Sequence, residues 1–326
     1  MLAFTTTLVR MRFGSHLYGT VTEDSDTDYK GVFLPGWSQI LLSQIPKTVS
    51  HKTKRGKGKN TATDIDREAY SLHYFLKLAC QGQTVALDML HAPEEMCEVY
   101  HPVWRELVGR RSEFYTKNLD AFVGYARRQA AKYGIRGSRL QEAQAVYEIL
   151  LSHVGWREAS RLEDVWELLP RSEHVHDVEP DPKGVAQIQV CGRKYSARTP
   201  IEGAAHSIGR YVQAYGERAR LAAENKGIDW KAVSHAIRAA CQVREILTAG
   251  TITFPRPEAD FLRGIKMGQF DYQTEAGPKL EELMAEVEAL AAASTLPEKV
   301  DRKTWEQWLL GVMDGHMRRF YSEEVI

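Results

Sequence analysis

Two aspartates two residues apart, Asp26 and Asp28, open a run of strand formers at 28–34 that ends at Pro35. Side chains two apart on a strand project to the same side, so this pair crowds one face of whatever sheet forms. Upstream, an alternating run at 6–13 breaks at Gly14–Ser15, and ten residues separate Ser15 from Asp26. A strand running into a glycine turn at the start of a short helix leaves amide N–H groups unused by the helix. With the Ser15 hydroxyl they can hold phosphate oxygens. Glycine fits this position because a Cβ holds an anion off the backbone.

Same-side carboxylates repel, and hard divalent cations with a taste for oxygen relieve the repulsion. Two such ions about 3.5–4 Å apart bind a triphosphate and acidify an attacking hydroxyl. That chemistry calls for a third carboxylate from a neighbouring strand. Asp64, Asp66 and Glu68 all qualify, and strand alternation puts the three on one side. The Asp-Ser-Asp-Thr-Asp run is also common turn composition, so the reading rests on the whole pattern rather than on any one residue.

The chain has 326 residues, 43% of them hydrophobic and 26% charged, which excludes a disordered or collagen-like chain. Forty-three basic side chains balance forty-three acidic ones, so attraction to nucleic acid must come from local patches. The four cysteines, Cys80, Cys97, Cys191 and Cys241, are dispersed with no C-x-x-C pair. That pattern fits a reducing compartment and neither a zinc site nor a disulfide framework. No signal-peptide core and no run of about 18 apolar residues occurs, so the expectation is a cytoplasmic chain without a membrane partner.

A third alternation, 61–70, leads into Ser71, which is placed to cap a helix with the stripe Leu72, Phe75, Leu76 and Ala79. Gly82 is the expected stop, and a short apolar element at 87–92 closes at Pro93. The stretch 51–60 carries Lys52, Lys54, Arg55, Lys57 and Lys59 with no acid and reads as a solvated loop. Helix signals dominate beyond about residue 102, at 118–133, 140–153, 162–169, 204–225, 230–249, 278–292 and 304–320. The exception is 175–199, where alternation predicts a hairpin or small sheet.

The segment GSHLYGTVTEDSDTDYKGVFLP resembles the signature of the DNA polymerase β nucleotidyltransferase superfamily. Within it, the chain is similar to the RNA-repair-associated bacterial and phage branch. The likeness extends through DREAYSLHYFLKLACQGQTVALDMLHAP, GYARRQAAKYG, YGERARLAA, DWKAVSHAIRAACQVREILTAGTITFP and PEADFLRGIKMGQF. It departs at Gln83, where the branch often has Asn, and at Asp88, where it often has Glu; neither belongs to the metal-binding set, and both bear on helix packing.

The resemblance implies an α+β protein. A small polymerase-β-like domain of mixed sheet and helices at 1–98 precedes a mainly helical domain at 99–326, with a β-rich insertion near 173–200. It implies a metal-dependent nucleotidyltransferase that moves a nucleoside monophosphate from an NTP, ATP among them, to a hydroxyl and releases pyrophosphate. By register with Tyr70 it selects Asp66 as the third acid. Asp26, Asp28 and Asp66 then hold Mg²⁺ or Mn²⁺. Gly14 and Ser15 hold phosphate, with His16 and Tyr18 inside the same turn.

His235 and Arg238 share a helical face with Lys231, and the resemblance sets that helix beside the cleft as a triphosphate or acceptor contact. The basic loop, the face of Arg127, Arg128 and Lys132, and Tyr215 with Arg218 and Arg220 are secondary candidates for phosphate or base contact. The acceptor expected first is an RNA or DNA end. Small-molecule or protein hydroxyls, and a non-catalytic nucleotide- or RNA-binding role, are the competing readings.

Overall fold

The structure is a computed structural model that describes residues 5–23, 25–53, 61–117, 137–156, 160–172, 174–223 and 225–323. Side chains are described throughout these except at 137–140, 215–223 and 320–323. The chain forms two compact units. One comprises Met1–Arg127, Trp230–Phe270 and Lys279–Ile326, the other Arg128–Asp229 and Asp271–Pro278. This grouping by compactness joins late helices to the first strands and is distinct from a division in chain order at residue 98.

The first unit holds a mixed five-stranded sheet in the order β3-β4-β2-β1-β5. Its strands are β1 (Thr6–Phe13), β2 (Thr27–Leu34), β3 (Thr48–Lys52), β4 (Ile65–Ser71) and β5 (Cys97–Tyr100). Only β2 and β4 run parallel; the other neighbours are antiparallel. In β1, Val9, Met11 and Phe13 point into the core, and Leu8 is buried as well. A register shift between Thr7 and Val9 accounts for two consecutive inward side chains, as a bulge does. Gly31 lies at the centre of the sheet, where a Cβ comes within 2.9 Å of the Val9 carbonyl oxygen.

The apolar stripe from Leu72 forms the helix Leu72–Cys80, and all four of its predicted apolar residues are buried. Ser71 precedes it without capping; its hydroxyl donates to the Lys47 carbonyl at 3.2 Å and ties β4 to the segment before β3. The element expected at 87–92 begins earlier, as a helix at Thr84–His91 that is buried on all sides. Strand β3 went unread because all five of its residues are exposed. Ladder bonds to β4, not a buried face, make it a strand, and it takes His51 and Lys52 out of the expected loop.

Helices Pro102–Gly109, Trp230–Ala249, Ala259–Lys266 and Arg302–Glu323 also belong to this unit. Aromatic pairs knit its core: Phe75 meets Trp104 edge-on at 5.2 Å, and Phe114 stacks on Trp305 at 4.3 Å. Each such side chain contributes on the order of 1.5–3 kcal/mol by burial.

In the second unit, helices Gly137–His153 and Ile201–Ala223 pack together, and Gly209 lets the Tyr147 ring approach; a Cβ there meets it at 2.6 Å. The expected insertion is a three-stranded antiparallel sheet of Val175–Val178, Gln187–Val190 and Arg193–Ser196. Cys191 and Gly192, both with positive φ, join its last two strands in a two-residue turn. A separate core of Val146, Leu150, Val165, Val175, Ile188 and Ile208 holds this unit. The four cysteines form no disulfide, and no helix among the described residues is long and apolar enough to cross a membrane.

Candidate active site

The site grows from the junction of β1, β2 and β4. Phe13 pairs with Asp28 across β1 and β2, and Asp28 pairs with Asp66 across β2 and β4. Asp26 stands two residues before Asp28 and repeats its direction. The carboxylates of Asp26, Asp28 and Asp66, all half-buried, offer ligand atoms within 4.8 Å of one another. Burial raises the Asp28 pKa above the usual carboxylate range, Asp26 and Asp66 add to the rise, and Lys30 and Lys231 oppose it. One oxygen of Asp66 is buried with no hydrogen-bond partner; the other takes the Lys52 ammonium at 2.9 Å.

The two other candidates for the third acid are engaged elsewhere. Asp64 caps a turn, accepting from the Thr61 N–H at 2.8 Å and the Thr61 hydroxyl at 2.9 Å. Glu68 pairs with Lys30 and accepts from the Tyr70 hydroxyl at 2.7 Å. Burial pushes Glu68 upward, but these two donors outweigh it and hold its pKa below the usual range.

Beside the carboxylates, Gly14 (φ 60°) leads into the short helix Ser15–Tyr18. A Cβ at Gly14 lands 2.2 Å from Asp28 Oδ2. The glycine is therefore required by the carboxylate packed against it, a reason additional to room for an anion. Ser15 Oγ is buried and makes no hydrogen bond within the protein. A buried, unpaired hydroxyl costs free energy, and a phosphate oxygen supplies what it lacks. Together with the orphaned Asp66 oxygen, this donor set fits divalent cations and a polyphosphate.

Gly14, Ser15, Asp26, Asp28 and Lys30 line a cleft of about 250 Å³. Its opposite wall is basic and comes from helix Trp230–Ala249, through Lys231, Ser234, His235 and Arg238, and from Lys266 of helix Ala259–Lys266. Ser234 ties the two helices by donating to the Leu262 carbonyl at 2.8 Å. Burial and the neighbouring Lys231 lower the Lys266 pKa, while Asp26 and Asp28 pull it up.

Of the residues singled out in the sequence, Gly14, Ser15, Tyr18, Asp26, Asp28, His235 and Arg238 line this cleft, and Asp66 adjoins it. His16 is on the same short helix but does not line it. Tyr18 and Arg238 are buried in a network. The Tyr18 hydroxyl and Arg238 Nη1 both donate to Asp88 Oδ2, at 2.8 and 3.0 Å, and Gln242 donates to Asp88 Oδ1 at 2.6 Å. The Arg238 guanidinium lies 3.6 Å from the Tyr18 ring centroid.

Lys30 and Lys266 were missed. Lys30 follows Asp28 at strand period and was open to the same argument; Lys266 carries no local signal. Lys54, Arg55, Lys57, Lys59, Arg127, Arg128 and Lys132, and the side chains of Tyr215, Arg218 and Arg220, lie outside the described residues.

A five-stranded mixed sheet with paired acids at the start of β2, a third on β4 and a glycine–serine turn beside them is the frame expected of a polymerase-β-type nucleotidyltransferase. The model of RlaP, the RNA repair pathway DNA polymerase beta family, matches residues 4–152. A protein of Enterobacteria phage T4 described as an uncharacterized 38.9 kDa protein in the nrdC–mobD intergenic region is 37% identical over 338 residues, covering 97% of this chain and 99% of its own. The chain belongs to this RNA repair pathway polymerase β family. No solved structure matches it.

Proposed function

We propose that the protein transfers a nucleoside monophosphate from an NTP to a hydroxyl at a nucleic-acid end, RNA first, and releases pyrophosphate. The observation that carries this reading is the convergence of Asp26, Asp28 and Asp66 within 4.8 Å beside the unpartnered Ser15 hydroxyl. Mg²⁺ or Mn²⁺ bound by the three carboxylates supplies acidification of the attacking hydroxyl and neutralises charge on the phosphorus and the leaving group.

The chain's own residues do the rest. Ser15 and the turn at Gly14 hold the β- and γ-phosphate oxygens. Lys231, Lys266 and His235 face the carboxylates across the cleft and balance the triphosphate charge. Asp66, on the strand beside Asp28, orients the acceptor. As the acceptor oxygen bonds to the α-phosphorus, the bond to pyrophosphate breaks and the hydroxyl proton leaves to solvent; Ser15 and the lysines stabilise the charge that develops on the departing group. On this reading residues 1–98 are the catalytic domain, and the helical region at 99–326 provides the basic wall. Four cysteines outside any disulfide agree with a cytoplasmic setting.

The test is incubation of purified protein with Mg²⁺ or Mn²⁺, each labelled NTP in turn, and a panel of RNA and DNA ends. The expected product is an RNA lengthened by one or more labelled nucleotides. Label on a metabolite or on protein keeps the chemistry and changes the acceptor. Nucleotide binding with no transfer to any acceptor removes the enzymatic reading.

A further inference from the structure

Asp88 is 1% exposed, on helix Thr84–His91, and has no place in the chemistry above. Yet both of its oxygens are committed, to donors from two other elements. Tyr18 belongs to the short helix that begins at Ser15; Arg238 and Gln242 are one turn apart on the helix that forms the basic wall. Gln242 is fully buried. The Arg238 charge stacks on the Tyr18 ring, so the two groups that share Asp88 Oδ2 also hold each other. Arg238 Nε is buried without a hydrogen-bond partner, although the residue lines the cleft.

The connection to the phosphate-holding turn is short. Tyr18 N–H donates to the Gly14 carbonyl at 3.1 Å, and this bond closes the single helical turn that presents Ser15. Fixing the Tyr18 side chain therefore fixes the plane of the Gly14–Ser15 peptide. Fixing Arg238 sets the facing wall at the same time. A side chain that only filled space here has no need of ionisable chemistry: an apolar residue of similar volume in a core is often as stable as a buried ion pair.

We propose that Asp88 is a positioning residue for nucleotide binding, holding the Ser15 turn and the Arg238 wall at the spacing a triphosphate spans. The inference rests on the nucleotidyltransferase reading for the identity of the ligand, and it acts through Tyr18 and Arg238 without touching substrate.

Three variants test it: Asp88→Asn, which keeps the shape and removes the charge; Asp88→Glu, which restores the charge on a longer arm; and Tyr18→Phe, which removes one donor. Each is titrated by calorimetry with a non-hydrolysable ATP analogue plus Mg²⁺, and separately with Mn²⁺ alone, and each is assayed for transfer. Asp88→Asn is expected to weaken analogue binding about tenfold, the size of one lost charged hydrogen bond, with Mn²⁺ affinity within about twofold of wild type. Asp88→Glu recovers most of the loss. Tyr18→Phe moves the same way by less, and adding it to Asp88→Asn adds little, because the two act as one unit.

Unchanged analogue affinity in Asp88→Asn, with only a lower melting temperature, overturns the proposal and leaves the nucleotidyltransferase reading standing. Failure of Asp88→Glu to improve on Asp88→Asn also overturns it. A wild type that binds the analogue but transfers nothing, with Asp88→Asn still weakened, sinks the reading and keeps Asp88 as a positioning residue.

Discussion

One compact unit of this protein treats its acidic side chains in two opposite ways. At the mouth of the cleft, Asp26, Asp28 and Asp66 are brought within 4.8 Å of one another while only half-buried. One of their oxygens lacks any partner, and repulsion lifts the Asp28 pKa on top of burial. Under the cleft, Asp88 is buried and accepts three hydrogen bonds, one from a cation. Burial raises its pKa while Arg238, Tyr18 and Gln242 draw it down. The second arrangement satisfies its buried charge within the fold, and the first does not. Crowding of this kind is what a divalent cation relieves.

The largest effect that can break this comparison is on activity. Asp26→Ala or Asp28→Ala is expected to reduce nucleotidyl transfer by at least about a thousandfold, since in the proposed mechanism the cations these carboxylates hold stabilise the developing charge. The melting temperature should not fall. Full transfer by either variant in the labelled-NTP assay removes the acidic cluster from the mechanism.

Asp88→Ala should do the reverse to stability. Taking one partner from a buried ion pair costs about 3–5 kcal/mol, because Arg238 is left charged and uncompensated. Denaturant unfolding reads this directly; a loss below that of Asp26→Ala would erase the distinction between the two regions.

Ser15→Ala sharpens the contrast at smaller scale. Its hydroxyl is buried with no partner within the fold, so stability to unfolding should hold or rise. The kcat/KM for NTP is expected to drop by about ten- to a hundredfold, the worth of one hydrogen bond to a charged oxygen.

The smallest effect concerns Asp28 without cations. Its pKa is raised in the fold, so the folded chain keeps this proton to a higher pH than the unfolded chain does. Stability therefore falls as pH rises from the ordinary aspartate value, about 3.9, through the raised one, and stays lower above it. Asp28→Asn removes that loss. In EDTA at neutral pH it should melt a few degrees above wild type, on the order of 2–4 °C, with the gap shrinking as pH is lowered through the window. A gap that widens toward low pH reverses the sign and the argument.

Much of this site was open to inspection of the chain. The alternation in 6–13, the Gly14–Ser15 break and the D-x-D pair foretold two strands, the second with acids on one face, and Leu72, Phe75, Leu76 and Ala79 foretold the helix after β4. Strand β3 was not legible because it buries nothing, and Ser71 misled because its hydroxyl finds a carbonyl 24 positions away instead of the helix behind it. Lys266 and the Asp88 network were out of reach for the same reason: their partners are distant in sequence, Asp88 and Arg238 being 150 positions apart.

The order of residues by itself determined which side chains share a face, since strand and helix periods are local properties of the backbone. It left Asp64, Asp66 and Glu68 equivalent, because alternation over 61–70 puts all three on one side. Tertiary structure decided among them. The parallel register sets Asp66 beside Asp28 and Glu68 beside Lys30, while Asp64 turns back on Thr61. Register comes from packing the whole sheet at once, and so does the fit of Gly14 against the Asp28 carboxylate. A period can name a face; only the assembled neighbours fix what that face meets.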